Sequence, residues 1–250
     1  MAATNLYALD FDGVICDSAI ETGMTGWKVA KLTWPEMPDE VPAEIMARFR
    51  QVRPVMETGY EAILIMRFLF EGGDAEQLLS NFNSQITHLL RRDELDTDKL
   101  KQRFGETRDH WIKHDLDDWI AKNPLFDGIA KKLQQLDVQN TYIITTKQER
   151  FVSQIFESNG IEFPAEKIYG LDRKLSKQQV LKTIAIQHPN HDILFVEDRL
   201  PTLLNVINDE QLSAIKLYFA TWGYNTQADK TAAKELDRVS SINLDKMLAL

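Results

Sequence analysis

Leu6-Tyr7-Ala8-Leu9-Asp10-Phe11-Asp12-Gly13-Val14-Ile15-Cys16-Asp17-Ser18 decides how this chain is read: a short apolar run delivers two carboxylates one residue apart, then a glycine. Short continuous apolar runs are how buried parallel strands read. Thr141–Ile144, Ile193–Val196 and Ala214–Phe219 are three more. The first two of these open directly onto polar residues, Thr145–Thr146 and Glu197–Asp198. In open α/β sheets, ligand chemistry gathers at the carboxyl ends of strands. Side chains alternate along a strand, so Asp10 and Asp12 project in different directions. Gly13 lets the chain turn sharply away without a Cβ clash.

Helical patterns separate the later strands. Thr146 and Glu149 have capping-box spacing ahead of Phe151, Val152, Ile155 and Phe156, and Asn159–Gly160 supplies the stop. Ser176 and Gln179 repeat that spacing before Val180, Leu181 and Ile184. Pro201 opens a third helix at its first position, with Leu203, Leu204 and Ile207 facing inward. Strands alternating with helices imply a doubly wound parallel sheet. Residues 18–122 differ: they carry helical stretches at Ala43–Val52, Tyr60–Phe70, Ala75–Leu90 and Leu100–Ile120, and little strand signal. The expected organisation is therefore a core of residues 1–17 and 123–250 interrupted by a helical insertion. Asn123–Gly128 is the return hinge, followed by a core helix over Ile129–Leu136.

Composition excludes several classes. The 250 residues are 44% hydrophobic and 27% charged, as in ordinary globular proteins. A net charge of −9 argues against a nucleic-acid surface. No apolar run approaches the ~18–20 residues needed to cross a bilayer, and the start lacks the pattern of a secretory signal. Cys16 is the only cysteine, so no internal disulfide forms and a cytoplasmic location is expected. It reads as a packed thiol. His110 and His114 have zinc-compatible spacing without an evident third ligand. Arg53, Arg91 and Arg92 read as solvated surface, and the five tryptophans as packing residues.

Asp10-Phe11-Asp12-Gly13-Val14 closely resembles the first motif of the haloacid dehalogenase-like superfamily, and the later motifs follow in order. Tyr142-Ile143-Ile144-Thr145-Thr146-Lys147 matches the second, with Thr145 in the key place. Lys177 and Lys174 are both candidates for the third, a lysine at or near a helix start. Leu194-Phe195-Val196-Glu197-Asp198 matches the fourth. One departure stands: an acidic residue often follows the last aspartate by four, where this chain has Thr202.

The resemblance implies a three-layer Rossmann-like α/β core with a parallel sheet and an inserted all-α cap domain. It implies Asp10 as nucleophile, forming an aspartyl phosphate, and Asp12 as general acid/base. Thr145 would donate to a phosphoryl oxygen, aided by helix-start amides near Thr146, while Lys177 or Lys174 neutralises charge. A cation in a first helical turn opposes the helix dipole at a cost of about 0.3–1 kcal/mol, and a broken local rule points to function. The resemblance assigns Mg²⁺ to Asp10, the backbone carbonyl of Asp12 and Asp198, with Glu197 acting directly or through water. The expected activity is hydrolysis of a small phosphorylated metabolite. A phosphosugar mutase of the β-phosphoglucomutase kind and a non-catalytic module that retains the fold are the alternatives. Specificity is expected from the helical insertion, and oligomeric state is not readable.

Overall fold

In the computed structural model, which describes residues 4–250, the chain divides into two units: Ser18–Pro124, and Met1–Asp17 with Leu125–Leu250. The first unit is helical. It begins with α1 (Ala19–Thr33), α2 (Ala43–Val52) and α3 (Glu61–Phe70). A Cβ on Gly26 would lie 2.7 Å from the Ala62 carbonyl carbon, so the glycine is what lets α1 approach α3 closely. Asp74, Asp96 and Asp115 each accept an amide hydrogen at the start of α4 (Ala75–Arg92), α5 (Thr97–His114) and α6 (Leu116–Ala121). The single helix expected over Leu100–Ile120 is therefore two. Asp115 leaves helical geometry (φ −154°, ψ 80°), and its carboxylate starts α6 instead.

Trp27, Phe49, Ile65, Leu78 and Phe104 centre this unit's core. Removing each such side chain from water contributes about 1.5–3 kcal/mol. Glu21 is fully buried and accepts from Thr25 (2.7 Å), Trp119 (3.2 Å) and both forks of Arg108 (2.7 and 2.6 Å), which joins α1 to α5 and α6. Such a pair carries specificity more than stability, because desolvation offsets its attraction. Arg53 corrects the solvated reading: it is buried, with Nη1 donating to the Met56 carbonyl at 3.3 Å. The rings of His110 and His114 stack, and His114 Nδ1 meets the His110 carbonyl at 2.8 Å, the pattern of a local helix contact.

Among the described residues, the second unit holds one sheet of six parallel strands: β1 (Thr4–Leu9), β2 (Thr141–Ile144), β3 (Ile168–Tyr169), β4 (His191–Glu197), β5 (Lys216–Ala220) and β6 (Val239–Ile242). Their order is β3-β2-β1-β4-β5-β6, which puts β1 at the point where the winding reverses. Leu6 and Ala8 face α9 (Lys177–Gln187) and α10 (Leu200–Ile207) through Val180, Leu181, Leu200 and Leu203. Tyr7, on the opposite face, donates to the Leu250 carbonyl (2.6 Å) beyond α12 (Leu244–Ala249), and Lys132 of α7 (Ile129–Gln135) lies over its ring. The sheet is thus sandwiched in three layers. Where the chain leaves and re-enters this unit, Cys16 bridges Leu125 and the Phe126 amide donates to Ile15.

Three local expectations are corrected. Helix α8 (Glu149–Ser158) starts after Gln148 without a side-chain cap, so Thr146 does not cap it. Pro201 occupies the second rather than the first position of α10, where the missing N–H still costs nothing. Leu204 is exposed, and Val206 takes the inward place. The capping box at Ser176 and Gln179 forms as read.

Candidate active site

The ends of β1, β2 and β4, adjacent in the sheet, converge on one cluster of charge. The Asp10 amide donates to the Val196 carbonyl (3.0 Å), aligning the ends of β1 and β4. Phe11 is fully buried edge-on against Phe156, with centroids 5.5 Å apart, which fixes the backbone between the two aspartates. Asp10 is 5% exposed. Its Oδ1 meets Lys177 Nζ at 2.8 Å, and the same ammonium donates to Glu197 Oε2 at 2.7 Å. The other oxygen of Glu197 accepts the Arg199 amide at 3.0 Å. Lys177 reaches this cluster because it is the first residue of α9, directly after the Ser176 cap. Lys174 does not: it is exposed, in left-handed geometry (φ 55°), at the end of a 3₁₀ turn.

Asp198 is placed by the loop after β5. Its Oδ2 accepts the Tyr224 amide at 2.5 Å, and Asn225 Nδ2 donates to its carbonyl at 3.2 Å. Tyr224 also donates its hydroxyl to Asp17 (2.8 Å), and Trp222 donates to the Val14 carbonyl (3.2 Å). Thr145, at the end of β2, is buried, and its Oγ accepts the Lys147 amide at 3.1 Å. With that oxygen accepting, the hydroxyl hydrogen is what Thr145 offers a ligand. Thr146 is exposed. Asp12 is met by a residue to which the sequence reading gives no role: Lys147, whose Nζ lies 3.0 Å from Asp12 Oδ1. Lys147 lies in the bend after β2 and meets Asp12 across 135 residues of sequence, so no local spacing pointed to it, and none pointed to Tyr224.

Burial first, then the Glu197 charge, pushes the Asp10 carboxyl up to about 7, against the lowering pull of Lys177. Burial also opposes the Lys177 charge, but Asp10 and Glu197 outweigh it and hold the ammonium above the usual lysine range. Burial would raise Glu197 too; Lys177 and the Arg199 amide outweigh it and hold Glu197 below the usual carboxylate range.

Among the described residues, Asp10, Glu197 and Asp198 are buried and place carboxylate oxygens within 4.8 Å of one another. With Asp12, four carboxylates crowd the strand ends, Lys177 set against Asp10 and Glu197 and Lys147 against Asp12. The donors are all hard oxygens. That set and that charge fit a divalent cation such as Mg²⁺.

Gly13 makes room for the arrangement. It has φ +90°, and a Cβ there would lie 2.0 Å from Asp198 Oδ2. Gly72 is also left-handed (φ +85°) but has nothing within 4 Å. Gly13→Ala is therefore expected to cost more stability in urea titration than Gly72→Ala, which carries only the backbone penalty of about 1 kcal/mol. Divalent-cation affinity, read by calorimetry, should fall in the first variant alone. Equal costs would mean that Asp198 yields freely.

No protein-family model and no curated protein matches the sequence. Solved structures do match. A protein described as a predicted phosphatase from Clostridium acetobutylicum aligns over 100% of this chain and 98% of its own, at 14% identity and TM-score 0.57. A hydrolase of the haloacid dehalogenase-like family from Streptococcus pneumoniae aligns over 99% and 97%, at 19% identity and TM-score 0.54. One described as a predicted phosphoglycolate phosphatase from Haemophilus somnus aligns over 100% and 98%, at 13% identity and TM-score 0.60. The chain has the haloacid dehalogenase-like fold over its whole length.

Proposed function

We propose that this protein hydrolyses the phosphate monoester of a small metabolite by in-line attack of Asp10 on phosphorus. The P–O bond to the leaving group breaks as the Asp10 O–P bond forms, and water then cleaves the aspartyl phosphate. The observation that carries this reading is the buried Asp10 carboxylate, held at 2.8 Å by Lys177 beside the Asp198 and Glu197 oxygens. Asp10, Asp198 and the Asp12 backbone carbonyl would hold Mg²⁺, which would supply charge neutralisation between an anionic attacker and an anionic substrate. Glu197, with one oxygen on Lys177 and the other on the Arg199 amide, acts as the anchor of that lysine. Lys177 and the Thr145 hydroxyl face the charge that develops on the transferring oxygens. Asp12 protonates the departing oxygen and later takes a proton from water.

A phosphate-release screen across small phosphorylated metabolites, with and without Mg²⁺, tests the reading. It begins with 2-phosphoglycolate because of the name carried by the Haemophilus somnus structure. Release that requires the cation is expected, and none across the panel would refute the proposal.

The raised Asp10 carboxyl also has a stability signature in metal-free protein. The native state keeps, up to about pH 7, a proton that the unfolded chain loses near 3.8. Stability from this group is therefore full below about pH 4 and falls as pH rises to 7. Asp10→Asn removes that loss, so in EDTA its stability relative to wild type should improve between pH 4 and 8, by at most about 4 kcal/mol. A difference independent of pH would contradict the assigned environment.

A further inference from the structure

We propose that Lys147 is the positioning residue of the acid–base step: its buried ammonium fixes the Asp12 carboxylate in the orientation from which a proton reaches the leaving-group oxygen. The inference rests on the hydrolytic reading above and adds a residue to it. Lys147 is 3% exposed, and its Nζ lies 3.0 Å from Asp12 Oδ1. The same ammonium is 5.9 Å from the Phe11 ring, the buried residue between the two aspartates.

The backbone around Lys147 is held from two sides. Its amide donates to Thr145 Oγ (3.1 Å), and its carbonyl accepts from Leu171 (3.1 Å) in the loop after β3. That loop is in turn drawn in by Glu149, whose carboxylate accepts the Gly170 (2.9 Å) and Asp172 (3.2 Å) amides. A Cβ on Gly170 would stand 2.4 Å from the Lys147 carbonyl oxygen, so a glycine there is what lets the two loops close. Two loops that serve no strand pairing at this point thus converge on the placement of one lysine. The cation that meets Asp10 is Lys177, at 2.8 Å. The 3.0 Å contact of Lys147 is with Asp12, and hence with the part of the reaction that depends on the leaving group.

General acid assistance matters for poor leaving groups and little for good ones. The signature is therefore a change in sensitivity to the leaving group rather than a uniform loss. In the step Lys147 serves, Asp12 enters protonated from solvent on the oxygen away from Lys147. The Asp10 O–P bond forms as the ester P–O bond breaks, the Asp12 proton passes to the departing oxygen, and Asp12 is left as the carboxylate paired with Lys147. The measured quantity is kcat/KM, which covers binding through the first irreversible bond cleavage. It is taken with Mg²⁺ for a series of phosphate monoesters, from p-nitrophenyl phosphate to simple alkyl phosphates.

In Lys147→Met, kcat/KM for alkyl phosphates should fall roughly 100-fold, the usual scale of a positioned acid, while that for p-nitrophenyl phosphate falls less than about threefold. Lys147→Gln keeps the length and a neutral donor and should lie between. Should either fail to fold, Gly170→Ala displaces the Lys147 carbonyl without touching its side chain and should show the same selective loss. Equal losses on every ester would reduce Lys147 to a structural role and overturn the proposal, as would unchanged kinetics. In both cases wild-type hydrolysis leaves the phosphatase reading standing; no hydrolysis by wild type on any ester removes that reading and this inference with it.

Discussion

Asp10→Asn is expected to lower phosphate release by roughly 10⁴-fold or more, the scale of loss when a covalent nucleophile is deleted, while the fold persists. The substitution is nearly isosteric at a buried site, and the amide still accepts from Lys177 at the position of Oδ1. What it removes is the negative charge and lone-pair reactivity that the proposed mechanism directs at phosphorus. Far-ultraviolet circular dichroism should stay native-like, and the thermal midpoint should not fall at neutral pH, as turnover disappears. Residual turnover within tenfold of wild type would take the nucleophile role from Asp10.

Lys177→Met should be the most damaging single change to stability. Its ammonium satisfies Asp10 and Glu197 together at 2.8 and 2.7 Å, with Glu197 at 0% exposure. Without it, two buried carboxylates face each other across an apolar side chain. Breaking a buried pair by removing one partner typically costs about 3–5 kcal/mol, read here by urea denaturation in EDTA. Glu197→Gln, which keeps an acceptor for Lys177, should cost markedly less. The pairing thus predicts an asymmetry: the shared cation matters more than either anion. Equal costs for the two variants would show that Lys177 is not the common partner.

The candidate site residues were legible where strands end in polar groups. Leu6–Leu9, Thr141–Ile144 and Ile193–Val196 are buried on both faces, so their apolar runs are unbroken and their last residues mark the site. Strand β3 has only two residues, and β6 carries Ser240 and Ser241 between its apolar ends, so neither shows a run long enough to read. Helix α1 escaped because Gly23 and Gly26 lower its propensity; both serve close packing, against Phe49, Met46 and Met66 in one case and Ala62 in the other. Choosing between Lys174 and Lys177 needed the helix start fixed to one residue, since only the first residue of α9 meets Asp10. Lys147 and Tyr224 act across 135 and 26 residues of sequence, on Asp12 and Asp198, and contacts at such separations leave no local pattern. Thr146 misled because its capping spacing is real but Glu149 is committed to the Gly170 and Asp172 amides.

The account depends on a phosphoryl group passing through the Asp10 side chain. Borohydride quenching of wild-type protein during steady turnover, followed by peptide mass spectrometry, reads this directly, because an acyl phosphate is reduced where a carboxylate is not. The expected result is reduction at position 10 alone, dependent on substrate and absent from Asp10→Asn. An unmodified Asp10 peptide from fully active enzyme, or reduction at another carboxylate, would contradict it.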